Sequence, residues 1–130
     1  MINIIICSHG KLASELIKTT SLICGDTSGI KAVELISGKS LEQFNKELKE
    51  IIEECKDEPA VLLTDMCGGS AFMTAVKWAD GINRILLSGA NLPVIMDLIF
   101  ARDTKSWEEI KTDIIANLSR YIKIFPEKRN

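Results

Sequence analysis

Several features that mark specialised chains are missing or nearly missing here. There is one histidine, one tyrosine and three prolines, and no apolar run approaches the ~20 residues of a membrane-spanning helix. Cys7, Cys24, Cys55 and Cys67 form no C-x-x-C pair, so they are expected to be free thiols, mostly packed as small apolar groups. Basic charge is not in excess: 16 Lys and Arg against 18 Asp and Glu leave a net charge of -2, which speaks against a nucleic-acid partner. No signal-peptide pattern opens the chain, and a cytoplasmic protein is expected. Neither G-x-G-x-x-G nor a P-loop lysine motif is present, and no repeat, linker or low-complexity stretch occurs. What remains is ordinary globular composition over 130 residues, enough for one domain spanning 1–130 with a real core.

Strand-like and helix-like stretches alternate. "INIIIC" (2–7), "IKAVELI" (30–36), "AVLLT" (60–64) and "INRILLS" (82–88) read as strands, the first apolar enough to be buried on both faces. A helix is expected from about Lys11 to Gly25, with Leu12, Leu16, Thr19 or Thr20, and Ile23 inward. Ser40 and Gln43 have capping-box spacing before a stripe of Leu41, Phe44, Leu48, Ile51, Ile52 and Cys55. "CGGS" (67–70) opens a helix with Phe72, Ala75, Val76 and Ala79 inward, and Pro93 suits the first turn of another within 89–102. Ser106 and Glu109 repeat the capping box before Trp107, Ile110, Ile114, Leu118 and Tyr121, with Pro126 as the stop. The pattern specifies an α/β fold: a doubly wound domain with a mostly parallel sheet between helices on both faces.

Ligands of such sheets bind beyond the carboxyl ends of the strands, where strand order reverses. His9 follows the first strand, Asp65 follows the third, and Gly68, Gly69 and Ser70 lead into the next helix. They converge if the first and third strands are neighbours. Imidazole is a nucleophile; a carboxylate that accepts its N–H fixes the tautomer; glycines at a helix start let backbone N–H groups approach an anion. Together they suggest phosphoryl transfer through a phosphohistidine. Each residue also has a plainer role, His9 or Asp65 in a turn, Gly68 and Gly69 in a tight bend, Ser70 as a helix cap. Other combinations are open: Cys67 as nucleophile with His9 as base, zinc on Cys7, His9 and Cys67, or a receiver-like module using Asp65. Against them stand the missing nucleophile elbow, the missing paired ligand spacing, and "SHG" where a receiver needs an acidic cluster.

The stretches "IIICSHGKLASELIKT", "VLLTDMCGGSAF" and "SGANLPVIMDLI" resemble, in order and spacing, the enzyme IIA component of the mannose-family sugar phosphotransferase system. The resemblance covers nearly the whole chain and is weakest over 120–130. It implies that the phosphocarrier protein HPr phosphorylates His9 and that the group passes to the IIB component. The membrane components IIC and IID are involved only indirectly. It further implies that Asp65 orients His9 and that Gly68, Gly69 and Ser70 hold the phosphate. No cofactor or metal is implied. A homodimer is, with a C-terminal strand crossing to the other subunit. The phosphotransfer subunit of dihydroxyacetone kinase is a related branch; the intact "GGS" and "NLP" stretches favour the sugar-transport branch. Ala71 and Met73 stand where the family often has proline and asparagine, and Met66 and Cys67 also depart from its usual residues. These changes bear on partner and sugar specificity.

Overall fold

The structure, a computed structural model, describes residues 1–127; residues 128–130, the end of the stretch expected at the dimer interface, lie outside the described residues. Strands β1 (Asn3–His9), β2 (Ile30–Leu35), β3 (Ala60–Thr64) and β4 (Arg84–Ser88) form one sheet in the order β2-β1-β3-β4, every pair parallel. Helices α1 (Leu12–Cys24), α2 (Leu41–Glu54), α3 (Gly69–Ala75), α4 (Leu92–Ala101) and α5 (Trp107–Asn117) cover both faces. The expected α/β architecture is therefore present.

The alternation of β1 divides the core. Ile4 and Ile6 pack with Ala13, Val94, Ile95, Leu98, Ile110 and Ile114 on the side of α1, α4 and α5. Ile5 and Cys7 pack with Phe44, Leu48, Ile52, Ala71 and Ala75 on the side of α2 and α3. Each fully buried large side chain among these contributes about 1.5–3 kcal/mol relative to exposure. The capping boxes at Ser40–Gln43 and Ser106–Glu109 both form, which explains why α2 and α5 start where the sequence says.

Two helices are turned relative to expectation. On α1, Ala13 and Thr20 are buried with Leu16 and Ile17 beside them, while Leu12 and Ile23 face solvent. Thr20 tolerates burial because its hydroxyl donates to the Leu16 carbonyl at 2.7 Å. On α3, Ala71 and Ala75 are buried, Phe72 is only half-buried and Val76 is exposed. Small side chains let both helices lie close to the sheet, and that choice outweighs hydrophobicity. The segment after α3 also tightens to a 3-10 turn over Val76–Trp78, where Arg84 Nε donates to the Trp78 carbonyl at 2.6 Å. Asp80 Oδ1 accepts the backbone N–H groups of Ile82, Asn83 and Arg84 at 2.8, 2.9 and 2.9 Å. That loop delays the fourth strand to Arg84. The last helix likewise gives way to a 3-10 turn at Leu118–Arg120, and Leu118 is exposed instead of packed.

Candidate functional site

Because side chains alternate along β1, His9 falls on the same face as Cys7, toward α3, and Ser8 on the opposite face, toward α1. β1 and β3 are neighbours with Cys7 in register with Thr64, so the residues just beyond meet. This is the reversal point of the sheet, with β2 on one side of β1 and β3 on the other. Asp65 Oδ2 accepts the His9 backbone N–H at 2.8 Å and lies 2.9 Å from Nδ1 of the same residue. Asp65 Oδ1 accepts the Met66 N–H at 3.0 Å. The His9 side chain is 43% exposed and that of Asp65 only 12%, so the carboxylate is the more buried partner, and Nε2 makes no hydrogen bond among the described residues.

Burial pushes the Asp65 carboxyl upward, but the His9 backbone N–H, the His9 imidazole and the Met66 N–H outweigh it and hold it below the ordinary aspartate value. An ionised Asp65 makes the bond to Nδ1 a donation from the ring, which fixes the tautomer. Nearby, burial first and the Asp65 charge second push the Cys7 thiol up to about 12, leaving it a packed, unreactive group.

Gly69 comes against the other edge of the ring. A Cβ built on it would stand 3.3 Å from His9 Cε1, 3.8 Å from Nε2 and 3.8 Å from the Met66 sulfur, and its φ of +78° suits glycine in any case. Gly68 and Ser70 flank it in the chain as α3 begins. The structure thus brings His9 and Asp65 into contact, with Gly69 close against the ring and Gly68 and Ser70 in the adjoining turn. The first turn of α3 carries no side-chain cap. The first turn of α1 is occupied: Ala13 N donates to Ser8 Oγ and Ser14 N to a Glu34 carboxylate oxygen, each at 2.9 Å. Two amides of the α1 start are thus engaged, while the α3 start carries no side-chain cap among the described residues and suits an anion.

The third stretch of the resemblance supports the end of β3. Gly89 N and Ala90 N both donate to the Thr64 carbonyl at 2.8 Å, and Asn91 caps α4 by accepting Val94 N at 3.1 Å. Pro93 lies in the first turn of α4 as expected.

The remaining combinations find less support in this geometry. Both Asp65 oxygens are engaged by His9 and Met66, which disfavours it as a receiver-type acceptor. Cys67 is an exposed free thiol, while His9 Nδ1 is turned to Asp65. Among the described residues no group of three or more His, Cys, Asp or Glu is placed to hold a metal ion. Sequence reasoning missed that Ser8 and Glu34 cap the start of α1. Ser8 carried one faint signal, a polar side chain in an apolar strand.

Residues 3–115 match the family described as PTS system fructose IIA component, EIIA-man. The PTS system sorbose-specific EIIA component of Klebsiella pneumoniae is 25% identical over 111 residues, 85% of this chain and 82% of that protein. The mannose-specific EIIAB component of Escherichia coli K12 is 27% identical over 104 residues, which is 78% of this chain and only 32% of that longer protein. The phosphotransferase system component EIIA from Streptococcus agalactiae shares the fold, with a TM-score of 0.83 over 96% of this chain and 98% of its own, at 23% identity. No helix among the described residues is long and apolar enough to cross a membrane. With the family match spanning both candidate strand ends and most of the chain, the protein belongs to the IIA components of the mannose-type sugar phosphotransferase systems.

Proposed function

We propose that His9 is the phosphoryl carrier of this IIA component, charged by phospho-HPr and discharged to a IIB component. The observation that carries the reading is the 2.9 Å contact between Nδ1 and the Asp65 carboxylate, which leaves Nε2 as the free nucleophile on a half-exposed side chain. Nε2 attacks phosphorus through its ring lone pair. The N–P bond forms as the bond from phosphorus to the donor breaks. The positive charge that develops on the ring is offset by Asp65 beside it. Gly68, Gly69 and Ser70 supply the uncapped helix start for the phosphate oxygens, and the Ser70 hydroxyl is a further donor. Discharge to IIB is the same step reversed in direction, with His9 as leaving group.

Exposed Leu12, Met66 and Met73 lie on the segments that bear the site and suit docking of protein partners. The sugar never reaches this surface; its identity belongs to the other components, and IIC and IID are engaged only through IIB. The whole chain, 1–130, acts as one cytoplasmic domain and works as a homodimer, a reading supported by edge strand β4 and the apolar segment after α5. Labelling with phospho-HPr tests the carrier role. His9→Ala is expected to fold and to take no label; undiminished labelling of that variant ends the proposal.

A further inference from the structure

Asp65 restrains the imidazole through a single oxygen, Oδ2, which serves both the His9 backbone and Nδ1. Such a contact holds the ring only if the backbone bearing His9 is itself fixed. That backbone lies where β1 ends at His9 and α1 starts at Leu12, with Gly10 at a φ of +57° between them. Beyond the His9 N–H bond to Asp65, three more bonds among the described residues hold this turn. Gly10 N donates to the Leu35 carbonyl at 3.0 Å. The Ser8 hydroxyl donates to the Gly10 carbonyl at 3.4 Å, and Ala13 N donates to Ser8 Oγ at 2.9 Å. Ser8 is fully buried, and its one oxygen joins the turn to the first turn of α1. An apolar residue in its place leaves a buried N–H at Ala13 without this partner and frees the Gly10 carbonyl.

Glu34 provides a natural contrast. It reaches from β2 to accept Ser14 N at 2.9 Å, capping the same helix one residue further on, and among the described residues its side chain makes no hydrogen bond to the His9–Gly10 turn.

We propose that Ser8 is a positioning residue for phosphoryl transfer, its hydroxyl tying the His9–Gly10 turn to α1 and so keeping the imidazole seated on Asp65. The inference rests on His9 being the phosphorylated residue. It assigns Ser8 a role in the reaction that helix capping alone does not require.

Two measurements test it. Nitrogen-15 NMR of the unphosphorylated protein reads the His9 tautomer, and transfer from phospho-HPr gives kcat and KM. In the wild type, Nδ1–H is expected as the single tautomer. Ser8→Ala is expected to give a mixture and to lower kcat about 10-fold with KM unchanged, the low end for groups that orient a reacting residue. Ser8→Thr, which keeps the hydroxyl, is expected to restore both, and Glu34→Ala, which removes the acceptor of Ser14 N, to leave both unchanged. Wild-type nitrogen shifts and rate in Ser8→Ala overturn the proposal, as does an equal loss in Glu34→Ala, which makes the effect one of capping. If Ser8→Ala does not fold, Ser8→Cys, similar in volume and a weak acceptor, is read by the same criteria. A wild-type protein that takes no label at His9 defeats the phosphocarrier reading instead. The tautomer measurement needs no donor and separates the two failures.

Discussion

Asp65 has two oxygens and three N–H partners, and the division of those partners explains its place in the site. Oδ1 takes the Met66 N–H and shapes the loop; Oδ2 takes both bonds from His9. Asp65→Asn keeps the shape but removes the charge, and rotation of the amide cannot satisfy both sets of donors. We expect single-turnover transfer to fall about 10–100-fold, the range for groups that orient a reacting residue, measured by rapid quench with phospho-HPr. An unchanged rate reduces Asp65 to a turn residue. His9 and Asp65 were legible because each is polar and ends an apolar strand. Ser8 was only faintly so, because its polarity is satisfied by backbone groups two and five residues away, and serine beside a turn is common.

The start of α3 lies close against one edge of the His9 ring. Gly68 and Gly69 read in the sequence as room for an anion, and the structure adds room for His9. In Gly69→Ala, the new Cβ meets His9 Cε1 at 3.3 Å, and a φ of +78° opposes any L side chain. We expect a stability loss of roughly 1–2 kcal/mol from the backbone alone, read by denaturant unfolding. Slower labelling should accompany it as the ring is displaced. A variant with wild-type stability and labelling contradicts this account of Gly69. The capping boxes of α2 and α5 were legible because they are local, complete within four residues. The inward faces of α1 and α3 were not. Several adjacent stripes on each helix are apolar, and the sheet selects the one bearing Ala13, or Ala71 and Ala75, by side-chain size. Hydrophobic periodicity carries no information about how near a helix must come.

Across the whole molecule, the alternation of strands and helices was sufficient to specify a parallel sheet, and the order β2-β1-β3-β4 then brings two residues 56 positions apart into contact. The outer surface was less legible, because exposed apolar residues on it fit no periodic pattern of a buried core. β4 is an edge strand, and Ile122, Ile124 and Phe125 are 81%, 78% and 73% exposed. Exposed Phe100 on α4 and Ile115 on α5 extend the apolar surface. A parallel sheet is seldom left with an open apolar edge. We expect a homodimer that buries part of 106–130, detected by light scattering at micromolar concentration. A monomer under those conditions contradicts it.

In the proposed transfer, one nitrogen of His9 takes the phosphoryl group. With Nδ1 held 2.9 Å from Asp65, that proposal assigns the attack to Nε2. Combined nitrogen-15 and phosphorus-31 NMR of the protein phosphorylated by phospho-HPr distinguishes the two linkages directly. The prediction is a Nε2-linked phosphohistidine at His9 with Nδ1 still protonated; a Nδ1 linkage would show that Asp65 does not hold the ring during transfer.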